Sequence, residues 1–232
     1  FDSRMVKIKT TLIFKIAIKI IYNLIMQVDV INIFLKLPLF IVFLAIGSIS
    51  KAEPYSLVNV SQYLKELKFL KADFSQTNAD GTTSSGAILI KRPGRMRFEY
   101  YKPDKTLVLV SAGALAIFDP KGDKAPITYP IKNNPISLIL KDDVDLVNSG
   151  IVENYKKSIE QAVLRIKDPK HLDRGSVELV FMGVKPELKK FTINNENGSS
   201  TSLYLKNIEY PSKISNALFS IQLEKKNREI EN

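Results

Sequence analysis

The chain has 232 residues, with 34 Lys+Arg against 24 Asp+Glu, one histidine and no cysteine. The missing thiols exclude disulfides, thiolate metal sites, cysteine nucleophiles and a lipid-modified N-terminal cysteine. Residues 1–52 hold seven of the basic and two of the acidic side chains; the modest basic excess left suits work near anionic headgroups or plain solubility, and no arginine-rich helix, zinc spacing or RNA-binding signature points to nucleic acid.

Residues 1–52 read as an upstream extension followed by a secretory signal peptide. Within 5–26, Lys7, Lys9, Lys15 and Lys19 are spread among apolar residues, and a lysine at the centre of a spanning helix costs about 2.5–3.5 kcal/mol. That is a poor transmembrane helix; it is either sequence upstream of a start at Met26 or an amphipathic surface helix. The stretch 34–47 places Lys36 before a short apolar core, and Ser50 and Ala52 follow as small residues. This pattern predicts export and cleavage after Ala52. The competing reading, an uncleaved anchor, needs a core of about 20 residues.

Residues 53–225 read as one domain and 226–232 as a polar tail. Leu57, Val60, Leu64 and Leu67 recur at helical spacing, with Pro54 suited to the helix start. Strand patterns follow at 69–77, 85–91, 95–101, 106–111, 115–118 and 125–129, separated by turn residues such as Arg92-Pro93-Gly94 and Asp119-Pro120-Lys121-Gly122-Asp123. In the third of these, Met96, Phe98 and Tyr100 fall on one face and Arg95, Arg97 and Glu99 on the other, so one wall is oily and one wet. A short helix is predicted over 134–140 and another in the acidic stretch 142–148. Strands resume at 158–167, 175–181, 189–194, 202–208 and 217–223, with a hairpin turn at Asn194-Asn195-Glu196-Asn197-Gly198.

Few residues offer catalytic chemistry. His171 stands alone in a turn-like stretch, and no GxSxG elbow, HExxH pair or P-loop is present. Asp142, Asp143 and Asp145 fit a solvated acidic helix start better than a cation site, because their spacing is not that of an EF-hand.

The motifs Phe74-Ser75-Gln76, Asn78-Ala79-Asp80-Gly81, Gly86, Lys91-Arg92-Pro93-Gly94, Phe118-Asp119-Pro120, Tyr129-Pro130 and Asn134-Pro135-Ile136-Ser137-Leu138-Ile139-Leu140 stand in an order that resembles the LolA family of periplasmic outer-membrane lipoprotein carriers. The resemblance continues through Leu188-Lys189-Lys190-Phe191 to Ala217-Leu218-Phe219. It implies a mainly β fold with helices (α+β): an unclosed antiparallel β half-barrel with a lid of short helices over an apolar concave face. The implied function is a soluble periplasmic chaperone, not an enzyme, that binds the acyl chains of lipoproteins released from the inner membrane and delivers them to the outer membrane. Arg92 matches the arginine implicated in that family in bonding the lid. Phe74, Ile88, Ile90, Met96, Phe98, Tyr100, Ile117, Leu138 and Ile139 would line the acyl-chain cavity, under a lid helix bearing Leu57, Val60, Leu64 and Leu67. Expected partners are acylated lipoproteins as cargo, an inner-membrane lipoprotein-releasing ABC exporter and, if present, an outer-membrane acceptor. A monomer is expected, with no cofactor, metal or nucleic acid. Ser111-Ala112-Gly113-Ala114-Leu115-Ala116 departs from the family's SDGxxxW-like pattern, lacking its acidic turn residue and its tryptophan. Two other readings of the same half-barrel are a periplasmic lipid- or lipoprotein-sensing regulatory protein and a LolB-type acceptor; the absent cysteine argues against the second.

Overall fold

A computed structural model describes residues 15–22, 54–121 and 125–230. Its contacts divide the chain into two units, Phe1–Ala52 and Glu53–Asn232. The expected signal core at 34–47, the cleavage point after Ala52 and the turn residues Gly122 and Asp123 lie outside the described residues. In the first unit, residues 15–22 are helical and exposed. Among the described residues no helix is long and apolar enough to cross a membrane.

In the second unit helix α1 spans Leu57–Glu66. The Ser56 hydroxyl accepts from Asn59 N–H and satisfies one of the orphan donors of the first turn. Ser56 is therefore the N-cap, and Pro54 lies ahead of the helix rather than in its first turn. Leu67, expected within the helix stripe, is the C-cap with an extended backbone.

Eleven strands follow: β1 (Phe69–Thr77), β2 (Thr83–Lys91), β3 (Arg95–Tyr100), β4 (Leu107–Ser111), β5 (Ala114–Phe118), β6 (Ile127–Pro130), β7 (Val152–Lys157), β8 (Gln161–Lys167), β9 (Ser176–Met182), β10 (Glu187–Asn194) and β11 (Ser200–Glu209). They form one sheet in the order β6-β5-β4-β3-β2-β1-β11-β10-β9-β8-β7. Neighbours are antiparallel, as hairpin connections dictate, and β1 joins β11. The terminal strands β6 and β7 do not pair with each other, so the sheet is unclosed, as the resemblance implied.

Three expectations need correction. The stretch 152–157, not predicted as a strand, is β7; it is an edge strand with most of its side chains in solvent, so no alternation marks it. The stretch 142–148 is not helical. There the Asp145 carboxylate accepts from Val147 N–H, Asn148 N–H and Asn148 Nδ2, offering the backbone local partners in place of a helix ladder. Nor are residues 217–223 a strand. They contribute to a 3-10 turn at Asn216–Phe219 and to helix α2 (Ile221–Ile230), which also takes up most of the expected polar tail.

Cross-strand partners share a face. Two apolar rows cross the inner face of the first half of the sheet: Ile88, Phe98, Val108, Ile117, Ile127 and Ile90, Met96, Val110, Leu115, Tyr129. The second half carries Leu203, Phe191, Leu179, Leu164 and Tyr155 in register. The main core lies on this face, with α1 over it. On the outer face Leu107, Leu109, Ala116 and Phe118 form a smaller cluster that Ile221 of α2 packs against. Arg97 fastens the C-terminal segment there, donating to Leu218 O at 2.9 Å and pairing with Glu224.

Candidate functional site

Arg92 follows the last residue of β2 and is only 5% exposed. Its backbone N–H donates to Lys68 O, and Gly94 N–H donates to Leu140 O, so this turn is hydrogen-bonded to segments on both sides. Its guanidinium makes five hydrogen bonds to four main-chain carbonyls among the described residues. Nε and Nη2 donate to Lys141 O at 2.9 and 2.6 Å, Nη2 to Asp142 O at 3.2 Å, and Nη1 to Leu67 O at 3.2 Å and to Leu64 O. The last carbonyls of a helix lack intrahelical partners and carry its negative end. One rigid fork of five N–H donors thus serves the end of α1 and the segment after the 3-10 helix Pro135–Leu138 at once. Burial pulls the guanidinium pKa below its ordinary value, and Asp142 and Asp143 push the other way. Those two carboxylates reach Lys68 at 3.7 Å and Lys65 at 3.9 Å in solvent, pairs that contribute little.

The residues expected around an acyl cavity come together, but from two sides. Phe74, Ile88, Ile90 and Met96 belong to the sheet and are buried in one cluster with Val60, Leu64 and Leu67 of α1 and its C-cap; Leu57 packs against it part-buried. Leu138 and Ile139 join the same cluster from the 3-10 helix and its cap rather than from the sheet. That helix contacts β8, β9 and β10. Phe98 and Tyr100 are half-buried against the cluster, and both rings stand edge-on to Phe74. Ile117 lies two strands beyond Phe98 in the same row.

The inner face is unevenly covered. Burial falls along each row, from Ile88 and Met96 at 0% exposure to Ile127 at 57% and Tyr129 at 53%. Phe98, Val108, Leu115 and Ile117 lie between. The rows are buried at their β2 and β3 end and run out as exposed apolar side chains at the β6 edge.

Sequence reasoning missed Val108, Val110, Leu115, Ile127 and Tyr129. The run Leu107-Val108-Leu109-Val110 was the available signal, because consecutive apolar residues in a strand mean that both faces are apolar. Chemistry of other kinds finds little to work with. Among the described residues no three His, Cys, Asp or Glu side chains converge as metal ligands would, and Asp145 is occupied by its own turn.

Comparison with known proteins gives this geometry its context. The family model described as "Outer membrane lipoprotein carrier protein LolA" matches residues 65–222. An outer-membrane lipoprotein carrier protein of Methylococcus capsulatus is 23% identical over 171 residues, 70% of this chain and 81% of that one. One from Coxiella burnetii is 24% identical over 196 residues, 77% and 88% of the two chains. One from Dechloromonas aromatica is 29% identical over 157 residues, 63% and 74%. With a family match that spans most of its length, the chain belongs to the LolA family of outer-membrane lipoprotein carriers, a family of carriers and not of enzymes.

Proposed function

We propose that this protein binds the acyl chains of lipoproteins released from the inner membrane and carries them across the periplasm to the outer membrane. Its family is periplasmic and carries lipoproteins. In this reading an inner-membrane ABC exporter loads it, an outer-membrane acceptor receives the cargo, and a signal peptide cleaved after Ala52 takes the protein out of the cytoplasm.

The observation that carries the proposal is the half-covered inner face, whose apolar row passes from buried Ile88 through part-buried Phe98, Val108 and Ile117 to exposed Ile127. Each buried methylene is worth about 0.8 kcal/mol, so a 16-carbon chain gains roughly 12 kcal/mol on leaving water. Burying Val60, Leu64 and Leu67 in the closed lid, with Leu57 part-buried, is worth about 5–10 kcal/mol on the same scale. That is close to the gain of one chain and below that of the two or three chains a lipoprotein carries, so the returning lid offsets part of the cargo's gain and eases its release. Arg92 supplies the polar part of closure by binding α1 and residues 141–142 together.

The test is to express the exported form in a Gram-negative host and examine it by mass spectrometry for triacylated lipoprotein. Co-purification in the wild type, with greater retention and poor onward transfer in Arg92→Leu, is expected. Normal transfer by that variant rejects the gate, and absence of acylated cargo from every form rejects the carrier.

A further inference from the structure

Helix α1 is tied down at a second place, one residue before the Leu64 carbonyl that Arg92 holds. The Tyr63 ring stands edge-on to Phe181 of β9, with centroids 5.7 Å apart. Its hydroxyl lies 3.1 Å from the hydroxyl of Tyr210, which directly follows β11. Tyr210 in turn donates to Glu187 Oε1 at 3.0 Å, at the start of β10. A phenol has one proton to give, and that of Tyr210 goes to Glu187, so Tyr63 is the donor to Tyr210. The chain runs one way, from the lid helix through two hydroxyls to a carboxylate, and Lys189 pairs with that carboxylate. Burial first, and then the neighbouring hydroxyl and Glu187, push the Tyr210 pKa up; burial does the same for Tyr63. Both phenols therefore stay protonated and able to donate.

Space adjoins the pair. A cleft of about 310 Å³ is walled by Tyr63, Glu66 and Leu67 on the lid side and by Phe69, Tyr210 and Pro211 on the other. Removing a hydroxyl there breaks the link without emptying the core.

We infer that Tyr63, Tyr210 and Glu187 form a second lid latch, independent of Arg92, which fastens α1 to β10 and β11 and sets how readily the helix lifts. What the lifting admits rests on the carrier reading above; the latch itself does not. Tyr63 and Tyr210 act as positioning residues, since nothing in this role requires them to touch cargo.

The test uses the full chain and the variants Tyr63→Phe, Tyr210→Phe, their double and Glu187→Gln, with hydrogen exchange of the 57–66 amides as readout. Either single Phe variant is expected to speed exchange of α1 about fivefold, the effect of one lost hydrogen bond, with β8 and β9 amides less affected and the Tm lowered by no more than a few degrees. The double variant should be little faster than the singles, because both break one chain. Glu187→Gln keeps an acceptor and should resemble wild type, whereas Tyr210→Phe in an Arg92→Leu background should multiply the two effects. Unchanged α1 exchange in both single variants, or equal acceleration across the whole sheet, overturns the latch. A fluorescent triacylated lipopeptide separates the two readings. Failure of every form to bind it rejects the carrier, while the exchange data alone decide the latch.

Discussion

Replacing Arg92 by leucine removes all five hydrogen bonds that the guanidinium makes to Leu64, Leu67, Lys141 and Asp142 carbonyls. Hydrogen bonds from a charged donor are worth about 1.5–3 kcal/mol each, but burying the guanidinium opposes them, and leucine restores some apolar contact. A net loss of roughly 2–4 kcal/mol in lid closure follows once the desolvation of the charge is set against those bonds. At 1.4 kcal/mol per factor of ten, that is about a 30- to 700-fold shift towards the open lid. Hydrogen exchange followed by mass spectrometry should show it as lost protection at 57–66 and 141–146, with β8 to β10 still protected. A lipopeptide should bind more tightly and leave more slowly by up to the same factor, because closure no longer competes with it. Arg92→Lys should recover only part of the effect, since an ammonium cannot reproduce the planar fork. Unchanged protection of α1 in Arg92→Leu, or weaker lipopeptide binding, refutes the clamp.

Other substitutions probe the sheet and its two faces. A Cβ on Gly86 would lie 2.2 Å from Glu99 O and 2.8 Å from the Phe74 ring, so Gly86→Ala should destabilise by about 1–3 kcal/mol, read as a lower denaturation midpoint. Ile127 is largely exposed on the open half of the trough; Ile127→Glu should leave the Tm within a degree or two of wild type yet weaken lipopeptide binding at least tenfold in a fluorescence titration. On the outer face Phe219 is 1% exposed, and Phe219→Ala should cost about 3–5 kcal/mol in urea unfolding. The two-residue turn at Ala112 and Gly113 has positive φ at both positions, 49° and 80°, so Ala112→Asn should stabilise by about 1 kcal/mol and raise the Tm by a few degrees.

The same turn illustrates what the sequence made legible. Alternation in Met96-Arg97-Phe98-Glu99-Tyr100 and the turn residues around it are local properties, and they located β1 to β6 to within about two residues. Strand β7 escaped because its Val152-Glu153-Asn154-Tyr155-Lys156-Lys157 pattern reflects an edge with one neighbour and little burial. Around α2 the alternation Ala217, Phe219, Ile221, Leu223 imitates a strand. What decides otherwise is tertiary: Phe219 is buried, and the Ser220 hydroxyl accepts from Leu223 N–H at the helix start. The Glu224–Arg228 pair at helical spacing was the local clue. Arg92 came from the family resemblance alone, since no periodicity tells a buried clamp from a strand-end arginine. The Tyr63–Tyr210 contact joins positions 147 residues apart and leaves no mark in either neighbourhood.

Whether fatty chains occupy the inner face can be read directly from a lipopeptide bearing a photoreactive diazirine near the end of one acyl chain. After irradiation and digestion, label is expected on inner-face residues such as Ile88, Met96, Phe98, Val108 and Ile117, and should fall as unlabelled lipopeptide is added. Label confined to the outer face around Leu107 and Phe118, or label that no competitor displaces, would contradict a trough for acyl chains.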